Sequence, residues 1–169
     1  ASRMLAAAAA AGAGRAAAMA TAVKRFGEAR DAGAAALDAN RVDEAIEKLG
    51  LAIKLDDGLG RGYRATVGRH LAEALARRAA DQMAGGKLRA AAKTAVRARS
   101  FHGEHKGARQ VLDALVVKSR ELTVQAMTLR NRDPDAAKES VETAMRIVPR
   151  KSPEYGRAKE LLMKIEDSL

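Results

Sequence analysis

The chain has 169 residues, enough for one domain with a sizeable hydrophobic core. Apolar residues make up 47% of it and charged residues 31%, a balance typical of a folded protein and not of a disordered one. Because the sequence contains no cysteine, disulfides, thiolate metal sites and cysteine nucleophiles are excluded. The apolar runs also fall short of the roughly 20 residues that a membrane-spanning helix needs, so no membrane span is expected.

Positive charge is concentrated in the middle of the sequence. Residues 61–132 contain 16 lysines and arginines but only 5 acidic residues, a net charge of +11, whereas the whole chain has a net charge of +10. We therefore expect any acidic partner to meet this basic central segment.

The first predicted elements are a leader and a pair of helices. Residues 1–21, rich in alanine and glycine, are interpreted as a flexible or frayed helical leader, or as a linker within a longer protein. A helix over 22–39 follows, and from Val42 the i, i+3, i+4, i+7 spacing of apolar residues predicts a second helix that Asp56-Asp57-Gly58 ends. The expected inner face of the first helix comprises Val23, Phe26, Ala29, Gly33, Ala36 and Leu37.

Two longer helices alternate with short ones in the rest of the chain. They are predicted over about 59–84 and about 106–129, and Gly85-Gly86 ends the first of them. A short helix follows each long one. A final helix within 153–169 has a charged outer face, which suits a cap over the open end of a helical stack.

The short helices share a repeated pattern of alanines. The first buried small residue of each is Ala45, Ala91 or Ala137, so these positions are 46 residues apart. Another alanine follows seven residues later in every case, at Ala52, Ala98 and Ala144. A constant period of this size is typical of a stacked helical array, so the predicted fold class is all-α.

This arrangement resembles the tetratricopeptide repeat family. That family has a small residue in the first helix of each repeat, two alanines around a bulky residue in the second helix, and often a proline at the end. Residues 26–59 match one complete unit, with Gly33 as the small residue and Leu49 as the bulky one. The third unit keeps Val141 and Pro149. The 46-residue period exceeds the usual 34, so the first helices of the last two units are extended.

The resemblance implies a right-handed solenoid of about three antiparallel helix pairs with a C-terminal capping helix. The units are about 22–58, 59–103 and 104–150, and with the cap at 153–169 they form one domain over 22–169. It also implies that a protein or peptide partner binds in a groove lined by the first helices. Alternatively, packing between the long helices fills the apolar part of this surface. The candidate groove residues are Arg30, Leu37, Glu73, Met83, Lys118, Leu122, Leu129 and Arg130.

A basic stripe is the second candidate surface. Three of its members recur every fourth residue and so lie on one side of a helix. Such a stripe either binds phosphates or an acidic protein segment, or is an ordinary solvated face. Aromatic residues that could stack on bases are scarce, since the basic segment contains only Tyr63 and Phe101. The stripe comprises Arg77, Arg78, Arg89, Lys93, Arg97, Lys106 and Arg109.

Little in the sequence suggests catalysis. His102-Gly103-Glu104-His105 lacks the His-Glu-x-x-His spacing of zinc proteases and is predicted to form a turn. Gly85-Gly86-Lys87 lacks the first glycine and the Ser or Thr of a phosphate-binding loop, so it is also interpreted as a turn. We therefore expect no enzyme activity, no cofactor and no metal.

The leading hypothesis is a protein–protein interaction scaffold that binds a peptide or partner protein through a helical-repeat surface. The alternative is a polyanion- or nucleic-acid-binding module that uses the basic segment 61–132. A third is an oligomerising spacer, so the oligomeric state stays open. The bias towards Ala, Arg and Gly is typical of a GC-rich bacterial source. A cytoplasmic location is favoured, with a periplasmic domain of a larger protein as the alternative.

Overall fold

Seven α-helices make up most of the part of the chain that the structure describes. The computed structural model describes the backbone of residues 2–167 and the side chains of residues 12–167. The helices are α1 Ser2–Asp38, α2 Val42–Gly58, α3 Arg64–Ala84, α4 Leu88–Phe101, α5 Lys106–Leu129, α6 Pro134–Arg146 and α7 Pro153–Glu166. They pack mainly with their neighbours in sequence, α1 with α2, α3 with α4 and α5 with α6. The predicted all-α class is therefore confirmed.

None of the described helices is both long and apolar enough to cross a membrane. The chain divides into two compact units, Ala1–Ala74 and Leu75–Leu169, and the division falls within α3. Each unit has its own buried residues, and both candidate surfaces described below belong to the second unit.

In the first unit, α1 and α2 approach each other closely at Gly33. A Cβ atom at this position would lie 2.7 Å from Cγ of Leu49 and 3.0 Å from its backbone nitrogen. Ordinary contacts between carbon atoms are about 3.5–4.0 Å, so a side chain here would force the helices apart. Leu49 is fully buried in this contact. Packing therefore explains the small residue that the sequence pattern predicts in the first helix.

The predicted start of the first helix is wrong. α1 begins at Ser2 and not at residue 22, so it is 37 residues long, whereas α2 has only 17. Among residues 12–38 of α1, the buried positions lie between Phe26 and Leu37. Val23, expected on that face, is 52% exposed. The interpretation of 1–21 as a leader or linker stays a prediction.

The third helix also begins later than expected, at Arg64 instead of near Leu59. The carbonyl of Asp56 accepts hydrogen bonds from the backbone N–H groups of Leu59 and Arg61 at 3.0 and 2.9 Å. Its buried carboxylate accepts a third from the N–H of Tyr63 at 3.0 Å. Arg61 has a φ of +64°, a left-handed conformation that a helix cannot continue through. Asp56 thus holds a turn that separates α2 from α3.

The repeated positions of the three short helices are all buried. Both alanines of each helix, and the residue between them, are 0% exposed. The predicted burial of these alanines is therefore confirmed, and the 46-residue period recurs in the packing. The nine positions are Ala45, Leu49 and Ala52 in α2, Ala91, Ala95 and Ala98 in α4, and Ala137, Val141 and Ala144 in α6.

The turns before α2 and α4 match as well. Asn40 and Gly86, which are 46 residues apart, have positive φ angles of 55° and 73°. The next residue in each turn, Arg41 or Lys87, donates its N–H to a carbonyl five residues earlier at 2.8 Å. A left-handed residue followed by such a bond is a common helix C-terminus, and asparagine and glycine adopt it most easily. The period thus recurs in backbone conformation.

In the second unit, α5 packs against α4, α6 and α7. One hydrophobic cluster joins the end of α3, α4 and α5 to Ile147 and Val148, which follow α6. A second cluster joins α5, α6 and α7. Between them the hydroxyl of Ser119 donates to the carbonyl of Ala144 at 3.1 Å. The central position of α5 leaves surfaces on both sides of it.

Candidate binding sites

A groove between α5 and α7 has an apolar floor and a charged rim. Its volume is about 420 Å³. Val124 and Met127 of α5 line it, and they are 63% and 59% exposed. Leu161 of α7 contributes the opposite wall. The rim consists of Arg120, Glu154, Arg157, Glu160 and Lys164.

Helix geometry explains why this face of α5 is exposed. Leu115, Ser119 and Ala126 are fully buried and form the side that packs against the rest of the unit. Val117 and Val124 are seven residues apart, so they share the other side of the helix. Val117 is 52% exposed and extends the apolar face beyond the groove. α5 therefore presents apolar side chains in two directions, of which only one is covered.

An ion pair links the two helices at one end of the α5–α7 groove. Nε and Nη2 of Arg120 both donate to Oε1 of Glu154, at 3.1 and 2.7 Å. Glu154 is only 7% exposed and lies in the first turn of α7, which Ser152 caps. The hydrogen bond from Arg120, and a second one from its own backbone N–H, lower the pKa of the Glu154 carboxyl below its ordinary value of 4.5. This pair holds the start of α7 against α5.

None of the residues predicted to form the partner groove lines the α5–α7 groove. Arg30 pairs with Asp31 at 2.8 Å and stands over the ring of Phe26, while Leu37 is buried in the first unit. Glu73, on α3, is half-buried and has an interaction partner.

The apolar residues among the predicted groove residues of the second unit are half-buried and pack against its core. Met83 and Leu122 pack against the first hydrophobic cluster, and Leu129 packs against the second. Lys118 is exposed and pairs with Glu121 at 2.9 Å, and Arg130 is half-buried at the end of α5. The α5–α7 groove is lined by other residues. Sequence reasoning missed Val124 and Met127 because apolar residues occur on more than one side of α5.

A second concave surface, the basic cleft, lies between α4, α6 and α7. Its volume is about 370 Å³. The apolar side chains of Met145, Val148, Tyr155 and Leu162 line it together with charged residues from both sides. The charged residues are Arg89 and Lys93 from α4, Glu142 and Arg146 from α6, and Arg150 from the loop before α7.

The basic cleft continues into a neighbouring cavity along α4. That cavity has a volume of about 570 Å³ and shares Arg89 and Lys93 with the cleft. Lys87 and Thr143 also line it. Two predicted stripe residues thus lie at the junction of the two cavities, where an extended ligand could contact both.

The other predicted stripe residues lie outside these cavities. Arg97 and Lys106 are exposed, and Arg109 pairs with Glu104 at 3.4 Å. Arg77 and Arg78 each have an interaction partner. The predicted stripe is therefore divided, and only Arg89 and Lys93 line the basic cleft. Two further cations, Arg146 and Arg150, join them there, although their spacing in the sequence does not predict this.

The turn predicted at His102–His105 is confirmed, since α4 ends at Phe101 and α5 begins at Lys106. Nδ1 of His105 accepts a hydrogen bond from the N–H of Ala108 at 3.3 Å and so caps α5. Within residues 12–167, no group of three His, Cys, Asp or Glu side chains is arranged to hold a metal ion. His105 therefore has a structural role as the cap of α5.

Comparisons with known proteins give no match. No family model matches the chain, and no curated protein or solved structure is significantly similar to it. The two candidate surfaces are therefore interpreted from the residues that form them.

Proposed function

We propose that this chain is a tetratricopeptide-like scaffold that binds an amphipathic helix of a partner protein in the α5–α7 groove. The observation that carries this proposal is the exposure of Val124 and Met127, at 63% and 59%, on the wall of a concave surface. Exposed apolar patches with a polar rim are typical of protein interaction sites. The proposed activity is binding and not catalysis.

The repeated packing supports the tetratricopeptide-like part of the proposal. Buried positions recur every 46 residues in three short helices, and glycine is required where α1 meets α2. In this proposal the helices form a right-handed solenoid of antiparallel pairs, and α7 is the cap. α5 and α7 then correspond to successive first helices, which line the binding groove in that family.

The shape of the exposed face favours a helix as the occupant. Val117, Val124 and Met127 span ten residues of α5, a distance of about 15 Å at 1.5 Å per residue. That distance is close to three turns of a partner helix, which would present apolar residues at i, i+3, i+4 and i+7. The flexible thioether of Met127 can adapt to such side chains. Charges of both signs on the rim, such as Arg157 and Glu160, would pair with the polar flanks of the partner helix.

Photo-crosslinking from position 127 tests this proposal directly. A photo-reactive amino acid in place of Met127 should capture a partner protein through one apolar helical segment, which mass spectrometry would identify. The same amino acid at Val96, which is 57% exposed on α4 and outside the groove, should not capture that segment.

Charge substitutions then measure how much the groove contributes to binding of the partner segment. Val124→Asp and Met127→Asp should each weaken binding of the identified segment at least tenfold, because an apolar contact worth about 1.5–3 kcal/mol is lost. Val96→Asp is the matched control and should bind as the unmodified chain does. Equal binding by all three variants would refute the groove.

Polyanion binding is the second candidate function. It is supported by Arg89, Lys93 and Arg97, which are exposed and form no ion pair with any described residue. This function predicts binding to unrelated nucleic acids that weakens steeply between about 50 and 200 mM salt. Replacing all three cations with glutamate should abolish it, and a variant that still binds would contradict it.

A further inference from the structure

We propose that the basic cleft is a binding site for an acidic peptide segment that carries an apolar side chain between its carboxylates. The residues that line this cleft differ from those of the α5–α7 groove, so ligand binding here does not depend on the function proposed for that groove.

The charge of the basic cleft is strongly unbalanced. Four cations line it against one carboxylate, Glu142, whose Oε2 already pairs with Nη2 of Arg146 at 2.7 Å. Arg89, Lys93 and Arg150 form no ion pair with any of the described residues. Like charges that converge in a concave surface repel one another and attract anions. The cleft is therefore complementary to a ligand with two or more negative charges.

The apolar residues that line the basic cleft indicate what a ligand needs besides negative charge. The half-buried side chains of Met145 and Leu162 line it together with the cations, so apolar surface and positive charge face the same space. A phosphate chain or a small anion would leave this apolar surface in contact with water. An apolar side chain between two acidic residues would cover it, while the acidic residues pair with cations such as Arg89 and Arg150.

A nucleic acid fits the same surface less well. The aromatic side chain in the cleft, Tyr155, is half-buried and packs against the first hydrophobic cluster. Bases bind to single-strand-binding proteins chiefly by stacking on exposed aromatic rings. Tyr155 is the single aromatic residue among those that line the cleft, and one half-buried ring is no stacking platform for successive bases.

The size of the site indicates an extended ligand. The basic cleft and its neighbouring cavity share Arg89 and Lys93, so a bound chain can run from Arg150 past both residues towards Lys87. A peptide of about ten residues spans roughly 33 Å when extended, so it can contact residues of both surfaces at once. An isolated carboxylate or phosphate ion would contact only part of it.

Fluorescence anisotropy with defined probes tests the proposal. The first probe is a labelled peptide of about ten alternating Asp and Glu residues around one leucine. The second has serine in place of the leucine, and the third is a labelled single-stranded oligothymidylate. We expect saturable binding of the first probe and roughly tenfold weaker binding of the second, because the apolar contact is lost.

Charge-reversal variants locate the binding site. Arg89→Glu and Arg150→Glu should each weaken binding of the leucine probe about tenfold or more, since each removes a charge-assisted contact and adds repulsion. Arg97→Glu makes the same change in net charge, on the same helix as Arg89 but outside both cavities, and should alter affinity less than about threefold. All three residues are exposed, so the far-UV circular dichroism of each variant should match that of the unmodified chain.

Three results would each overturn the proposal. One is failure of the leucine probe to bind, and another is loss of binding in Arg97→Glu as large as in Arg89→Glu. The third is binding of the oligothymidylate more tightly than the leucine probe, with competition between them. That last result would assign the basic cleft to nucleic acid.

Discussion

Replacing Gly33 with alanine should destabilise the pairing of α1 and α2, although alanine is the better helix former. In an exposed helix interior this change would stabilise the protein by about 1 kcal/mol, because glycine loses more backbone entropy on folding. At position 33 the new methyl group meets α2 instead of solvent. The sign of the effect therefore reports whether the two helices are in contact there.

The size of the expected loss of stability follows from the distances between the new Cβ atom and Leu49. The new Cβ would lie 2.7 and 2.9 Å from two side-chain carbons of Leu49, and 3.0 Å from its backbone nitrogen. A new rotamer of Leu49 could relieve the side-chain contacts, but the contact with the nitrogen requires the helices to separate. Overpacking of this kind costs about 1–3 kcal/mol, and a backbone contact places it in the upper half of that range. After the gain in helix propensity, the net loss should be about 1–2 kcal/mol.

Gly27→Ala is the matched control. It lies on the same helix, and no heavy atom lies within 4 Å of the position of its Cβ. Alanine at this position should therefore raise the free energy of unfolding by up to about 1 kcal/mol. Urea denaturation followed by circular dichroism gives both values, and hydrogen exchange of the amides of α1 and α2 shows where stability changes.

The difference in stability between the two variants tests the close approach of α1 and α2 at Gly33. Gly33→Ala should be less stable than Gly27→Ala by about 2–3 kcal/mol, and faster amide exchange should be confined to α1 and α2. If Gly33→Ala is as stable as Gly27→Ala, the close approach at Gly33 is refuted. Leu49 would then not be packed against α1, and packing would no longer explain the glycine at position 33.

Three further predictions concern single polar groups. The lowered pKa of Glu154 means that its ionised form stabilises the fold above its unfolded-state pKa near 4.5, and this stability is lost as the pH falls through the lower folded-state value. Urea denaturation should therefore show a smaller loss of stability on acidification in Glu154→Gln than in the unmodified chain. Asp56→Ala removes a buried acceptor and should cost about 1–2 kcal/mol in the same assay, whereas the exposed Asp57→Ala should cost less than about 1 kcal/mol. Ser119→Ala leaves a buried carbonyl of α6 without its donor and should cost about 1 kcal/mol, against about 0.5 kcal/mol or less for the exposed Thr128→Ala.

The elements that the sequence predicts well are those with local signals. Gly86 with its left-handed φ ends α3, and Pro134 begins α6 behind the capping carboxylate of Asp133. The buried alanines are also predictable, because their spacing follows the helical period. The start of α1 is not predictable, because an alanine-rich segment without Pro has no signal that separates a leader from a longer helix.

The shape of the candidate sites depends on how the helices pack together, which the sequence of a single helix does not show. α5 has apolar residues on two sides, and only the packing of α6 and α7 decides that Leu122 is partly covered while Val124 is exposed. In the same way, Arg150 joins Arg89 in the basic cleft because the loop before α7 brings it there. Residue type and spacing identified the charge of the surface but not its shape.

α7 forms one wall of both candidate surfaces, so its docking should affect both of them together. Leu161 lines the α5–α7 groove, and the next residue, Leu162, lines the basic cleft. Ile165 is 0% exposed and anchors the helix in the second hydrophobic cluster. Ile165→Ala should cost about 2–5 kcal/mol, loosen α7 and weaken ligands of both surfaces. Met127→Asp and Arg150→Glu should instead each weaken one ligand and spare the other. If Ile165→Ala lowers stability by this amount but leaves both ligands bound as before, then α7 does not form either site.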